Sequence, residues 1–141
     1  KLNEEWQSIA QCDLKMSTLN TRWADVEALN NTDSRFAMWN WCTRKEGVSV
    51  ESLRSKHTSI AESYPEGVGN IGWFTFIPNI GGAKAPGTFA NIIVFPDMAG
   101  LMEHKQWMAN GGWRARHDYY NYVDCQGDYV WTEEVIHRPG E

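Results

Sequence analysis

The sequence predicts one α+β domain built on an antiparallel sheet, and three observations carry that prediction. Two apolar runs, "GWFTFIP" and "FANIIVFP", flank the glycine-rich stretch "GGAKAPG", and each closes on a proline. Between Gly47 and Pro65, apolar residues recur at spacings of three and four, as they do on a helix that buries one face. The chain has 141 residues and is 42% hydrophobic, which is core enough for one domain and too little for two full-sized ones.

The first readable element is "RFAMWNWCTR", residues 35–44. It is aromatic and apolar over ten positions without a breaker, so it predicts a strand with Phe36, Met38, Asn40 and Cys42 on one face. Ala37, Trp39 and Trp41 fall on the other face, and with both faces apolar the strand belongs at the centre of the sheet. In "SVESLRSKHTSIAESYP", Ser49 stands where an N-cap belongs, Leu53, His57, Ile60 and Tyr64 mark a buried stripe, and Pro65 stops the helix. The two runs around "GGAKAPG" alternate as strands. Trp73 and Thr75 oppose Phe74 and Phe76 in the first, and Phe89, Ile93 and Phe95 oppose Ala90, Ile92 and Val94 in the second. Proline donates nothing to a ladder, so Pro78 and Pro96 belong at or beyond the strand ends. A strand follows "GGAKAPG" where a phosphate cradle would need a helix N-terminus, so the stretch reads as a hairpin loop.

Asp97 caps a second helix, "MAGLMEHKQWMANG", in which Met98, Leu101, Met102, Lys105 and Met108 recur on one side. Gly111 and Gly112 break or bend it, and "WRARHDYYNYV" resumes it with Trp113, His117 and Tyr120 on a common face. "DYVWTEEVIHR" alternates as a fourth strand. Residues 35–138 therefore read strand, helix, strand, strand, helix, strand. Residues 1–34 read as an N-terminal extension: "EEWQSIAQCDLKMSTL" is a strand or a helix end passing into one, and "TRWADVEALNN" a short helix with Trp23, Val26 and Leu29 inward.

Composition excludes several roles. No apolar run approaches the ~20 residues that cross a bilayer, so no membrane span is expected. A net charge of −5 argues against nucleic acid, whose binding depends on Lys and Arg neutralising phosphates. Cys12, Cys42 and Cys125 show no C-x-x-C spacing, no two histidines stand at i, i+4, and no H-E-x-x-H occurs, so no metal site is expected. The first residue is Lys1, which fits either a removed leader or a cut at a boundary; the reading here leans to export. Eight tryptophans suit subunit interfaces and apolar ligand pockets equally well.

The βαββαβ order resembles the ferredoxin-like fold and, within it, the dimeric α+β barrel proteins. The resemblance rests on element order and strand pattern, not on a catalytic motif. It implies a homodimer that packs through its sheets, and a cleft between sheet and helices that holds a small molecule. It also implies a choice among cofactor-free oxygenases, isomerases, haem-handling proteins and proteins of structural role, and fold alone does not select among them. In that order the fourth strand lies antiparallel beside the first. Cys42, late in its strand, and Cys125, just before its own, are then within reach of a disulfide. The RNA recognition motif shares the order, but Pro86 stands where a basic residue precedes its glycine, and aliphatic residues replace the stacking rings.

The function expected is binding of a small apolar or amphipathic molecule in the cleft, with oxygenase or isomerase activity as its catalytic form. Trp39, Trp41, Phe74, Phe76 and Asn91 are the candidate ligand-binding residues, offering rings and one amide. His57, on the apolar face of the first helix, is the candidate catalytic base or, in a haem-binding alternative, the axial ligand. The remaining alternative is an assembly protein whose tryptophans make subunit contacts. Which cofactor is used, if any, the sequence leaves open.

Overall fold

The computed structural model describes residues 4–5, 16–82 and 84–138. Cys12 lies outside them. The described chain runs β1 (Met16–Ala24), α1 (Val26–Asn30), β2 (Ser34–Arg44), α2 (Val50–Glu62), β3 (Gly72–Ile80) and β4 (Phe89–Phe95). It continues with α3 (Met98–Trp107), a π turn (Met108–Gly112), α4 (Trp113–Tyr119), β5 (Val123–Cys125) and β6 (Tyr129–Glu134).

The six strands form one antiparallel sheet in the order β1-β3-β4-β2-β5, with β6 pairing along the same edge of β2 as β5. The two most apolar strands, β2 and β4, are therefore central, in register from Phe36 opposite Phe95 to Cys42 opposite Phe89. Each face of the sheet has its own core. On one face, Leu53 of α2 and Tyr119 of α4 pack with Cys42, Phe89 and Val123, while Leu101 of α3 packs with Met38 and Phe95. On the other, Ala37, Ile71, Ile92 and Val94 gather Trp39, Phe74 and Phe76, with Ala28 and Leu29 of the short α1 as cover.

Local chemistry sets the helix starts. Ser49 Oγ accepts the Ser52 N–H at 3.0 Å and Asp97 Oδ1 accepts that of Gly100 at 2.8 Å, each satisfying an orphan donor of the first turn. The helix expected over residues 21–31 is shorter than its apolar spacing suggests. Trp23 belongs to β1, opposite Trp73, and the helix starts only after Asp25, whose carboxylate caps Ala28 N–H at 2.9 Å. Before β3, Gly69 (φ 80°) presses against the start of α3. A Cβ there would stand 2.1 Å from the Gly100 carbonyl oxygen, so the loop and helix meet backbone to backbone.

Cys42 and Cys125 stand directly opposite each other on β2 and β5 and form a disulfide, with Cα atoms 4.0 Å apart. After it the chain leaves the ladder for Gln126–Asp128 and returns as β6. Gln126 N–H donates to the Trp41 carbonyl at 2.8 Å, and its own carbonyl accepts from the Asn40 amide. The bond closes a sequence separation of 83 residues. A loop of that size restricts the unfolded chain strongly, so reduction is expected to remove about 2–4 kcal/mol from the unfolding free energy. Urea unfolding with and without a reductant measures this, and intact mass under both conditions counts the bridged cysteines.

Candidate functional site

Between the sheet and the helices lies a cavity of about 120 Å3. Its floor is the helix-facing side of β2, β3 and β4: Met38, Asn40, Trp73, Asn91 and Ile93. Its roof comes from Ile60 near the end of α2 and Tyr64 two residues beyond it, from α3 and α4, and from the π turn between them. The turn matters to the shape. Gly111 adopts φ 128°, and Gly112 lies under the Trp107 indole, where a Cβ would meet the ring at 2.7 Å. Only glycine lets Trp107 and the start of α4 close over the cavity in this way.

A chain of hydrogen bonds crosses the cavity wall. Trp73 Nε1 donates to Asn91 Oδ1 at 3.2 Å. An indole only donates, so the Asn91 amide has one orientation, and its Nδ2 donates to the Tyr119 hydroxyl at 3.2 Å. The Tyr119 oxygen lies 2.8 Å from His57 Nε2. His57 itself stands behind Tyr119, edge-on to Trp73 and Phe89, and borders surface clefts that contain Arg22, Thr58 and Glu62. Burial, with the Arg22 charge adding, pushes the His57 imidazole down to about 4. Its ring is neutral at pH 7, and its Nε2 is committed to Tyr119.

At the rim, Asp128 accepts from Arg116 at 2.7 and 3.0 Å and from Lys105 at 2.9 Å, and Arg116 Nε donates to Tyr120 at 2.7 Å. Burial works to raise the Asp128 carboxyl, but the hydrogen bonds from Arg116 and Lys105 hold it below its ordinary value. Two residues of the wall each carry a buried polar atom without a hydrogen-bond partner, Tyr64 Oη and His104 Nδ1. Burial raises the Tyr64 phenol well above its ordinary value and, with the Lys105 charge, lowers His104 to about 4. Both groups are neutral at pH 7. Among the described residues, no cluster of three or more His, Cys, Asp or Glu is placed to hold a metal ion.

The structure divides the residues singled out from sequence. Asn91 lines the cavity, whereas Trp39, Trp41, Phe74 and Phe76 belong to the opposite face of the sheet, where Trp39, Trp41 and Phe76 meet with ring centroids 5.3–6.2 Å apart. Asn91 is odd-numbered like Trp39 and Trp41 but lies on a different strand, whose register with β2 sets Asn91 opposite Asn40. The Cys42–Cys125 bridge lies beneath Asn91, whose Nδ2 is 3.6 Å from Cys42 Sγ.

The apolar faces expected for the last two helices also need correction. Met98, Met102 and Trp113 are exposed, as is His117, and the buried stripe runs through Leu101, His104, Gly112 and Tyr119. That stripe keeps helical spacing, but a histidine and a glycine occupy two of its positions, and neither registers as apolar. The sequence therefore carries no apolar signal that joins His104, Arg116 and Tyr119 to Tyr64 and Asp128 as one site.

No protein family, characterised protein or solved structure matches this chain.

The two buried histidines give stability a pH dependence. Their folded values of about 4 lie below the ordinary value of 6.5, so the unfolded chain binds more protons between those limits. Stability is full above pH 6.5 and falls as pH drops towards 4, by as much as about 3 kcal/mol for each histidine. Thermal unfolding from pH 7.5 to 4 measures it, and a midpoint that stays level down to pH 4 contradicts both assignments.

Proposed function

We propose that the chain is a ferredoxin-like protein of the dimeric α+β barrel kind, which binds a small, mostly apolar molecule with one polar end in the cavity between sheet and helices. The fold assignment rests on the strand order: leaving out the edge strand β1, the sheet reads β3-β4-β2-β5/β6, as a βαββαβ chain requires. The ligand reading rests on one observation. An apolar cavity is lined by Tyr64 and His104, each with a buried polar atom that nothing in the protein satisfies. Such groups cost about 1–3 kcal/mol each when left unpaired, and a ligand towards which the two side chains turn to pair recovers it.

Size narrows the ligand. An apolar cavity of ~150 Å3 admits benzene, so about 120 Å3 suits a single ring or a short branched chain. Of the activities the resemblance implies, isomerisation fits these side chains best, because a neutral imidazole and two phenols are groups that hold and move protons. The opposite face of the sheet supports pairing with a second copy. Trp39, Trp41, Phe74 and Phe76 are only half-buried there, and Trp131 on β6 is 60% exposed.

p-Cresol is the probe. It is expected to bind with quenching of tryptophan fluorescence, since Trp73 and Trp107 flank the cavity. Ala115→Trp, at the exposed rim, is expected to weaken binding at least tenfold without loss of fold. Light scattering on the same sample is expected to give a dimer. Binding unchanged in Ala115→Trp overturns the cavity reading, and large assemblies in place of a dimer favour the assembly alternative.

A further inference from the structure

We infer that Tyr119 is the polar anchor of the cavity and that it holds carbonyl compounds, donating a hydrogen bond from its hydroxyl to the ligand's carbonyl oxygen. The inference rests on the cavity reading and adds the chemical class of the ligand.

The argument is one of hydrogen-bond capacity. A phenol oxygen donates one bond and accepts two. Asn91 Nδ2 fills one acceptor position, and its orientation is fixed because Trp73 Nε1 holds the other end of the amide. His57 Nε2, at 2.8 Å, takes one of two roles according to its tautomer. With the proton on Nδ1 it accepts the Tyr119 proton, and the empty site is satisfied. With the proton on Nε2 it donates, Tyr119 then accepts twice, and its O–H is left for a third partner in the cavity that Tyr119 lines.

An incoming acceptor therefore needs only a tautomer change in a neutral, buried imidazole to obtain a donor. Two bonds into the same oxygen polarise that donor further. A ligand group that donates needs the other tautomer, in which Tyr119 gives its proton to His57 and keeps one acceptor position open. Carbonyl oxygen accepts without donating, which is the complement of the Nε2–H tautomer. A donor fixed in this way also stabilises the negative charge that grows on a carbonyl oxygen as an enolate forms. Tyr64, whose hydroxyl has no partner, is the rival donor that the test separates from Tyr119, and the remaining polar groups at the cavity suit this role less well. Both ends of the Asn91 amide are engaged, the Asn40 amide N–H donates to Gln126, and Arg116 and Asp128 bind each other.

The test compares acetophenone with ethylbenzene, which has similar shape and no carbonyl. Affinity is read from tryptophan quenching, and the infrared carbonyl stretch of bound acetophenone reports the hydrogen bond directly. Acetophenone is expected to bind about tenfold more tightly than ethylbenzene, with its carbonyl band moved below its position in hexane. Tyr119→Phe is expected to remove both differences while still binding ethylbenzene, and Tyr64→Phe to keep the band shift. If both compounds bind equally and the band does not move, the anchor is refuted and the cavity stands. Loss of the shift in Tyr64→Phe but not in Tyr119→Phe assigns the anchor to Tyr64 and overturns the proposal. If neither compound binds the wild-type protein, the cavity reading itself fails. The wild-type comparison decides the question even where Tyr119→Phe does not fold.

Discussion

The hydrogen bond from Trp73 to Asn91 is the constraint on which the cavity depends. Asn91 sits in the central strand β4, 7% exposed, at a position where a strand buried on both faces ordinarily carries an aliphatic residue. An amide there is tolerable only if both its ends are satisfied, because a buried amide without partners costs about 1–3 kcal/mol. Trp73 on β3 satisfies the oxygen, and Tyr119 on α4 takes the nitrogen. The network thereby ties two strands to the last helix across the whole layer. It also prevents the collapse that an aliphatic residue would invite, since the tyrosine must hold its hydroxyl over the sheet, not fold its ring onto it.

The rest of the helical layer is arranged around that requirement. The π turn at Met108–Gly112 sets the start of α4, and the missing side chain at Gly112 lets Trp107 close the roof. Arg116, one turn before Tyr119, reaches Asp128 on the segment between β5 and β6. The Cys42–Cys125 bridge anchors that segment to β2, so the rim is covalently tied to the floor. The two faces of the sheet consequently differ in character: one carries a polar network under helices, and the other carries tryptophan and phenylalanine rings with little cover.

Much of the sheet was legible in the sequence. Alternation in β2, β3 and β4 assigned each residue to its face, because strands buried on both sides write both faces in apolar letters and leave only the register to find. The two glycines after Asn110 marked the bend, and Ser49 and Asp97 marked helix starts through their capping oxygens. Illegible was the site. Its residues lie on six elements and on the connections between them, and the stripe that carries it from α3 through the π turn to α4 reads His104, Gly112, Arg116, Tyr119, a sequence without apolar periodicity. Trp113 is large and apolar but exposed, and it points pattern-based reasoning to the wrong face. The pairing of Trp39 and Trp41 with Asn91 failed for a related reason: alternation sorts residues within a strand, but only pairing between strands says which faces coincide.

The central claim is that this network holds open a ligand cavity between sheet and helices. A crystal structure of the protein soaked with p-cresol tests it most directly. The account predicts one ring in the space between Trp73, Trp107 and Ile93, with its oxygen within hydrogen-bonding distance of Tyr64, His104 or Tyr119. A cavity closed by inward movement of Trp107, or a ring found only against Trp39 and Trp41 on the opposite face, would contradict it.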